Sequence, residues 1–167
     1  MSPVTVRSYR PSDHSAGRRL WSELTNQHNR MYGVPDEDAG EGFEEYLTRL
    51  DLSGLWVADH ADDGVIGLVG LIMRGRGGEV EPVVVTGTHR HKGVGRKLLR
   101  HVAQEAKKRS MVSLTISPSS RNVDAIRSLH AAGYDVVSSI ELTMDLDRHT
   151  HEWQTEGLEL HELQFRS

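Results

Sequence analysis

The stretch EPVVVTGTHRHKGVGRKLLRHV, residues 81 to 102, decides the fold. Val83, Val84 and Val85 are branched and apolar, the composition of a strand. After a glycine-containing turn, Val94, Leu98, Leu99, Val102 and Ala106 recur at helical spacing, predicting a helix over 92–109. MVSLTIS at 111–117 reads as the next strand. Two strands joined through a helix need a crossover, so this pair is expected to be parallel.

Upstream, GLWVADHADDGVIGLVGLIMR reads as two strands joined at Asp63-Gly64, a short hairpin signal, and RGRGG at 74–78 turns the chain into EVEPVVVT. These three strands are antiparallel. VTVRSYR alternates and is closed by Pro11. Asp13 or Ser15 then caps a helix to about residue 31, carrying Leu20, Trp21, Leu24 and His28 on neighbouring turns. GFEEYLTRL is a short second helix with Phe43, Tyr46, Leu47 and Leu50 toward the core. Downstream, SSRNVDAIRSLHAAGY gives a helix capped near Ser120 or Asn122 and ended at Gly133, followed by one or two closing strands in YDVVSSIELTMDL. The expected fold is α/β (α+β): a mixed, mostly antiparallel central sheet of six or seven strands with helices on both faces.

A chain of 167 residues suits one domain, burying roughly two thirds of its unfolded surface. The absence of cysteine removes disulfides and thiolate chemistry. No apolar run has the length of a signal core or a bilayer span, so the expected location is cytoplasmic, with no membrane partner.

The charge pattern around residue 90 points to a ligand. Net charge is -4, yet no acid stands between Pro82 and Gln104, where Arg90, Lys92, Arg96, Lys97 and Arg100 gather. Helix starts normally carry acids, because their first amides leave partial positive charge unsatisfied. A turn that adds cations there is built for a phosphate. A Walker A loop would need glycine where Lys92 stands, and a dinucleotide fingerprint would need it at Leu98, so both fail. The pattern that fits is Arg-x-x-Gly-x-Gly, Arg90 to Gly95.

VVVTGTHRHKGVGRKLL, with NVDAIRSLHAAGY further on, resembles the GCN5-related N-acetyltransferases (the GNAT family). The likeness covers roughly residues 4 to 146, which sets expected boundaries of a GNAT-like domain at 1–147 and a tail or docking arm at 148–167. The resemblance implies acetyl-CoA as co-substrate, its pyrophosphate on the amides of His91, Lys92, Gly93, Val94, Gly95 and Arg96. Arg90 belongs to the same turn, and the pantetheine is expected beside the backbone of Val83, Val84 and Val85. Asn122 matches the family's asparagine near that arm, its other reading being a plain helix cap. It further implies transfer of an acetyl group to a small-molecule or peptide amine.

An amine of pKa near 10.4 must lose a proton before it attacks. Glu79 and Glu81 lie two apart and share a strand face, with Glu81 favoured as base and Glu79 behind it; surface glutamates before Pro82 are the plain alternative. Leu129 stands where the family commonly has a tyrosine to protonate the leaving thiolate. That departure keeps a second class open, a non-catalytic acyl-CoA-binding module. Tyr134 is read as packing. Seven acids and one cation between Pro35 and Asp51 suit a cationic acceptor or a solvated face, with Tyr32, Tyr46 and His28 as further candidates for the pocket.

Ten histidines include His149, His151 and His161 in the tail, but none has a recognisable ligand spacing, so no metal is expected. The basic turn lacks interleaved aromatic residues, so no nucleic acid is expected. Leu158, Leu160, Leu163 and Phe165 are spaced by twos with one break, a short strand or arm that pairs either with its own domain or with a second subunit as a homodimer.

Overall fold

The computed structural model describes residues 3–147, 153–155 and 157–167. Contacts divide the chain into two compact units, Met1–Asn26 with Glu37–Ile116, and Gln27–Asp36 with Ser117–Ser167.

The first unit is built on a sheet of order β1-β2-β3-β4-β5. The strands are β1 (Val4–Ser8), β2 (Leu55–His60), β3 (Gly64–Arg74), β4 (Gly77–Val85) and β5 (Leu114–Thr115). The first three pairings are antiparallel and β4 with β5 is parallel, as strand-helix-strand requires. Residues 66–71 of β3 are all buried because the strand is covered on both faces, which explains its unbroken apolar run. Helices α1 (His14–Met31) and α2 (Glu41–Thr48) bring Leu20, Phe43 and Tyr46 against Leu55, Val57 and Leu68. Gly17 and Gly42 make this packing close: a Cβ at either would collide with Phe43 or Trp21. The opposite face takes α3 (Val94–Lys108), where the anticipated Val94, Leu98, Leu99, Val102 and Ala106 are the buried residues.

Short turns set the registers. Gly64 at φ 71 ends a three-residue turn from His60, and Gly75 at φ 57 opens the two-residue link from Arg74 to Gly77. The anticipated cap at Asp13 or Ser15 is corrected: a 3-10 turn over Pro11–Asp13 leads into α1, and the Asp13 carboxylate reaches back to accept from the Arg10 amide at 2.8 Å and from the Arg7 guanidinium at 2.8 and 2.9 Å.

In the second unit α4 (Val123–Ala131) is capped by Asn122, whose side chain accepts from the Ala125 amide at 3.2 Å, and Gly133 at φ 104 ends it. Strands β6 (Leu158–Leu160) and β7 (Leu163–Phe165) form a separate hairpin. The break in the tail's spacing by twos is its turn.

The strand count is corrected. Among the described residues the main sheet has five strands, not six or seven: 111–117 forms a ladder only at Leu114 and Thr115, and 134–146 forms none. Alternation in 134–146 supplies a strand-like pattern, but a strand also needs a hydrogen-bonding neighbour, and this stretch has no ladder among the described residues. Its Val137 and Leu146 are 84% and 88% exposed.

Candidate active site

β4 positions both candidate carboxylates. Burial alternates along Gly77–Val85, putting Glu79, Glu81, Val83 and Val85 on the half-open face and Val80 and Val84 in the core. Val69 pairs with Val83 and Leu71 with Val80, so Glu81 and Pro82 together oppose Gly70. That is a β-bulge, and it frees the Glu81 carbonyl from the ladder. The buried Tyr46 hydroxyl of α2 donates to this carbonyl. Gly70 makes the approach possible, since a Cβ there would overlap both the Tyr46 oxygen and the Glu81 carbonyl. Burial, reinforced by the Glu81 charge, pushes the Tyr46 phenol far above its ordinary range, so it stays a donor. Tyr46 is therefore a packing residue with its polar tip satisfied.

The two glutamates differ in engagement. Glu79 is ion-paired with the Arg74 guanidinium across the hairpin. Glu81 faces Arg49 at 3.8 Å, a loose pair, with its side chain 36% exposed. Pairing of β4 with β5 stops at Glu79, so β4 beyond that point has no strand neighbour on the edge away from β3 among the described residues.

The turn after β4 is held by a group the sequence reading missed. Glu23 of α1 accepts from the Thr86 hydroxyl at 2.7 Å and from the Gly87 amide at 3.2 Å, and lies 4.0 Å from Arg90. Nothing in local sequence links Glu23 to residue 86; only the packing of α1 on the sheet does. Arg90 folds inward, donating to the Val85 carbonyl at 3.0 Å. A 3-10 turn over Gly87–His89, then His91 and Gly93 at φ 61 and 84, lead into α3. No side chain caps this helix and no acid stands in its first turn. Among the described residues, the amides of His91 to Arg96 have no hydrogen-bond acceptor. Free amides at a helix start, with Lys92 and Arg96 beside them, fit a diphosphate.

The second unit holds Leu129, Tyr134, Tyr32 and His28. Leu129 is buried at 7% and carries no proton to give. Tyr134 buries its hydroxyl with no hydrogen-bond partner among the described residues, and burial raises its pKa. Tyr32 hydrogen-bonds Ser119 at 2.7 Å beneath the Arg121 guanidinium and touches His28, with ring centroids 5.0 Å apart. In the acidic stretch Glu44 is bound by Arg18 and His14 and Asp36 by Arg30, while Glu41 and Glu45 stay exposed. His149 and His151 lie outside the described residues; His161 sits in the β6–β7 turn.

The model of the acetyltransferase (GNAT) family matches residues 18–134. The chain belongs to the GNAT family of acetyltransferases. Solved structures share this fold. Glucosamine-6-phosphate N-acetyltransferase from Arabidopsis thaliana aligns at TM-score 0.64 and 18% identity, covering 87% of this chain and 99% of that one. An aminoglycoside N-acetyltransferase in complex with CoA aligns at 0.65 and 18%, covering 88% and 97%. A Thermoplasma acidophilum N-acetyltransferase in complex with coenzyme A aligns at 0.62 and 16%, covering 77% and 88%. No curated protein matches the chain. Among the described residues no helix is long and apolar enough to cross a membrane. Within this GNAT domain, Gly70, Arg49 and Glu23 are the site-forming residues that sequence reasoning gave no role, while Tyr46, a candidate for the pocket, is a packing residue. A glycine inside the β3 run was the one signal available.

Proposed function

We propose that this GNAT protein transfers an acetyl group from acetyl-CoA to a primary amine by direct attack in a ternary complex, with no covalent enzyme intermediate. One observation carries the reading: the acceptor-less amides of His91 to Arg96 on an acid-free helix start, following a strand whose outer edge is open. These amides would hold the pyrophosphate, Lys92 and Arg96 would add charge, and Val83 and Val84 would offer backbone to the pantetheine. Arg90 already occupies the Val85 carbonyl and keeps the turn in shape. Asn122 stays a proposed cofactor residue on the family resemblance alone, with its side-chain oxygen serving as the cap of α4. Acetyl-CoA supplies an activated thioester when bound.

Glu81 takes the amine proton, directly or through water. Its loose pair with Arg49 fixes its place and leaves it open, whereas Glu79 is held by Arg74 and stands behind it. A backbone amide near Val85 polarises the thioester carbonyl, and positioning of the two reactants supplies much of the rate. With Leu129 at the usual tyrosine position, the thiolate, of pKa about 8.5, leaves without a general acid and is protonated by water. The acceptor is a small or peptide amine, cationic in solution and drawn by exposed acids such as Glu41 and Glu45. Two of the similar structures bear names of amino-sugar acetyltransferases, which makes amino sugars the first acceptors to try.

The test follows free thiol release on a panel of amino sugars, polyamines, amino acids and peptides. Glu81→Gln should lower kcat on the accepted amine by roughly 10²- to 10⁴-fold with acetyl-CoA affinity unchanged, and partly recover as pH rises toward the amine's own pKa. Gly93→Asp should abolish acetyl-CoA binding by calorimetry, through an anion set among the free amides. Leu129 favours a second reading, a non-catalytic acyl-CoA-binding module, and acetyl-CoA binding with no thiol release on any amine would select it.

A further inference from the structure

His60 at the end of β2, Asp63 in the turn to β3 and His89 in the 3-10 turn after β4 are 26 residues apart at most from neighbour to neighbour, and the sheet brings them together. Two antiparallel pairings do this: His60 faces Gly64, and Val85 faces Gly67 on the same strand. One potential ligand atom from each of the three lies within 4.8 Å of the others. The Asp63 Oδ2 atom is 2.9 Å from His89 Nε2 and 3.4 Å from His60 Nδ1, and the two imidazole rings are 4.9 Å apart.

The two contacts of Asp63 are chemically different. His60 Nδ1 accepts from the amides of Asp62 and Asp63 at 3.2 and 3.1 Å, so it carries a lone pair and no proton. A proton-free nitrogen therefore faces a carboxylate oxygen at 3.4 Å, two acceptors with no donor between them. A cation between them resolves that repulsion. We infer that His60, Asp63 and His89 form a binding site for one divalent transition metal of the zinc class.

Ligand type and spacing agree with this. Two imidazoles and one carboxylate suit borderline divalent ions and not calcium or magnesium. A tetrahedral zinc ion with bonds of about 2.0 to 2.1 Å sets its ligand atoms about 3.3 Å apart, between the spacings found here. Both histidine side chains are 13% exposed, which fixes their rings, while Asp63 is 56% exposed and leaves a solvent-facing position for water. On binding, His60 would exchange its two long amide bonds for the metal, and those exposed amides would turn to water. The ion would clamp the β2–β3 turn to the segment that runs into Arg90 and the free amides. That consequence, unlike the metal itself, rests on the acetyl-CoA reading above.

The test uses tag-free full-length chain stripped with chelator. Calorimetric titration with zinc should give saturable binding at one ion per chain, and cobalt should produce the visible absorption bands of a low-coordinate Co²⁺ site. His89→Gln and Asp63→Asn should each weaken zinc binding by roughly 10- to 100-fold or more, while the exposed His130→Gln leaves it unchanged. Asp63→Asn is at an exposed turn and keeps the fold, which thermal unfolding would verify. The site is overturned if wild type shows no saturable binding, or if its affinity survives in both site variants. Zinc binding without acetyl-CoA binding would sink the transferase reading and keep the metal; the reverse result would do the opposite.

Discussion

Single residues carry the sharpest consequences at Gly70 and Asp13. Gly70→Ala places a methyl group where the Tyr46 hydroxyl and the Glu81 carbonyl meet, so Tyr46 must leave its position. The expected loss is about 3 kcal/mol in urea unfolding, at the upper end for overpacking; a neutral result would mean that Tyr46 has room to move. Asp13 is buried at 6% exposure, and the hydrogen bonds from Arg7 hold its pKa below the ordinary carboxylate value. A depressed folded pKa means stability fully present above the unfolded value, about 3.9, and lost as pH falls through the folded one. Asp13→Asn should cost roughly 3 kcal/mol at pH 7 and flatten the acid limb of the stability curve, read by thermal unfolding from pH 6 to 2.

Elements were legible in the sequence where a single pattern decides them. The α3 core face, the Asn122 cap, the Gly133 stop and the parallel β4–β5 pair all follow from local periodicity or capping chemistry. What escaped the sequence was long-range: Glu23 reaching residue 86, the bulge opposite Gly70, and three ligand-type residues assembled by register. Alternation in 134–146 promised strands because pattern reports a face and not a partner. The β6–β7 turn offers a test at this scale. His161 and Glu162 both have positive φ, at 51 and 66, where side chains are disfavoured and Asn-Gly is preferred. Replacing the pair with Asn-Gly should stabilise the hairpin by roughly 1 kcal/mol, visible as slower amide exchange in 158–165.

For the molecule as a whole, the segment 136–146 leaves Val136, Val137, Ile140, Leu142, Met144 and Leu146 exposed, an apolar run larger than scattered surface residues explain. Light scattering across concentration should therefore give a mass rising from 18.7 kDa toward twice that value, and Leu142→Lys with Met144→Lys should return it to the monomer. A constant monomer mass in the wild type would remove the second subunit anticipated from the tail. Beyond association, the pairing of Val4 with His60 sets an order of events during synthesis. Strands β2, β3 and β4 are joined by links of three and two residues and can zip as soon as they emerge, whereas β1 waits through both early helices before a neighbour exists. During synthesis β1 thus stays without its neighbour until both helices and β2 have been made, and its open edge is a part of the nascent chain in need of shelter.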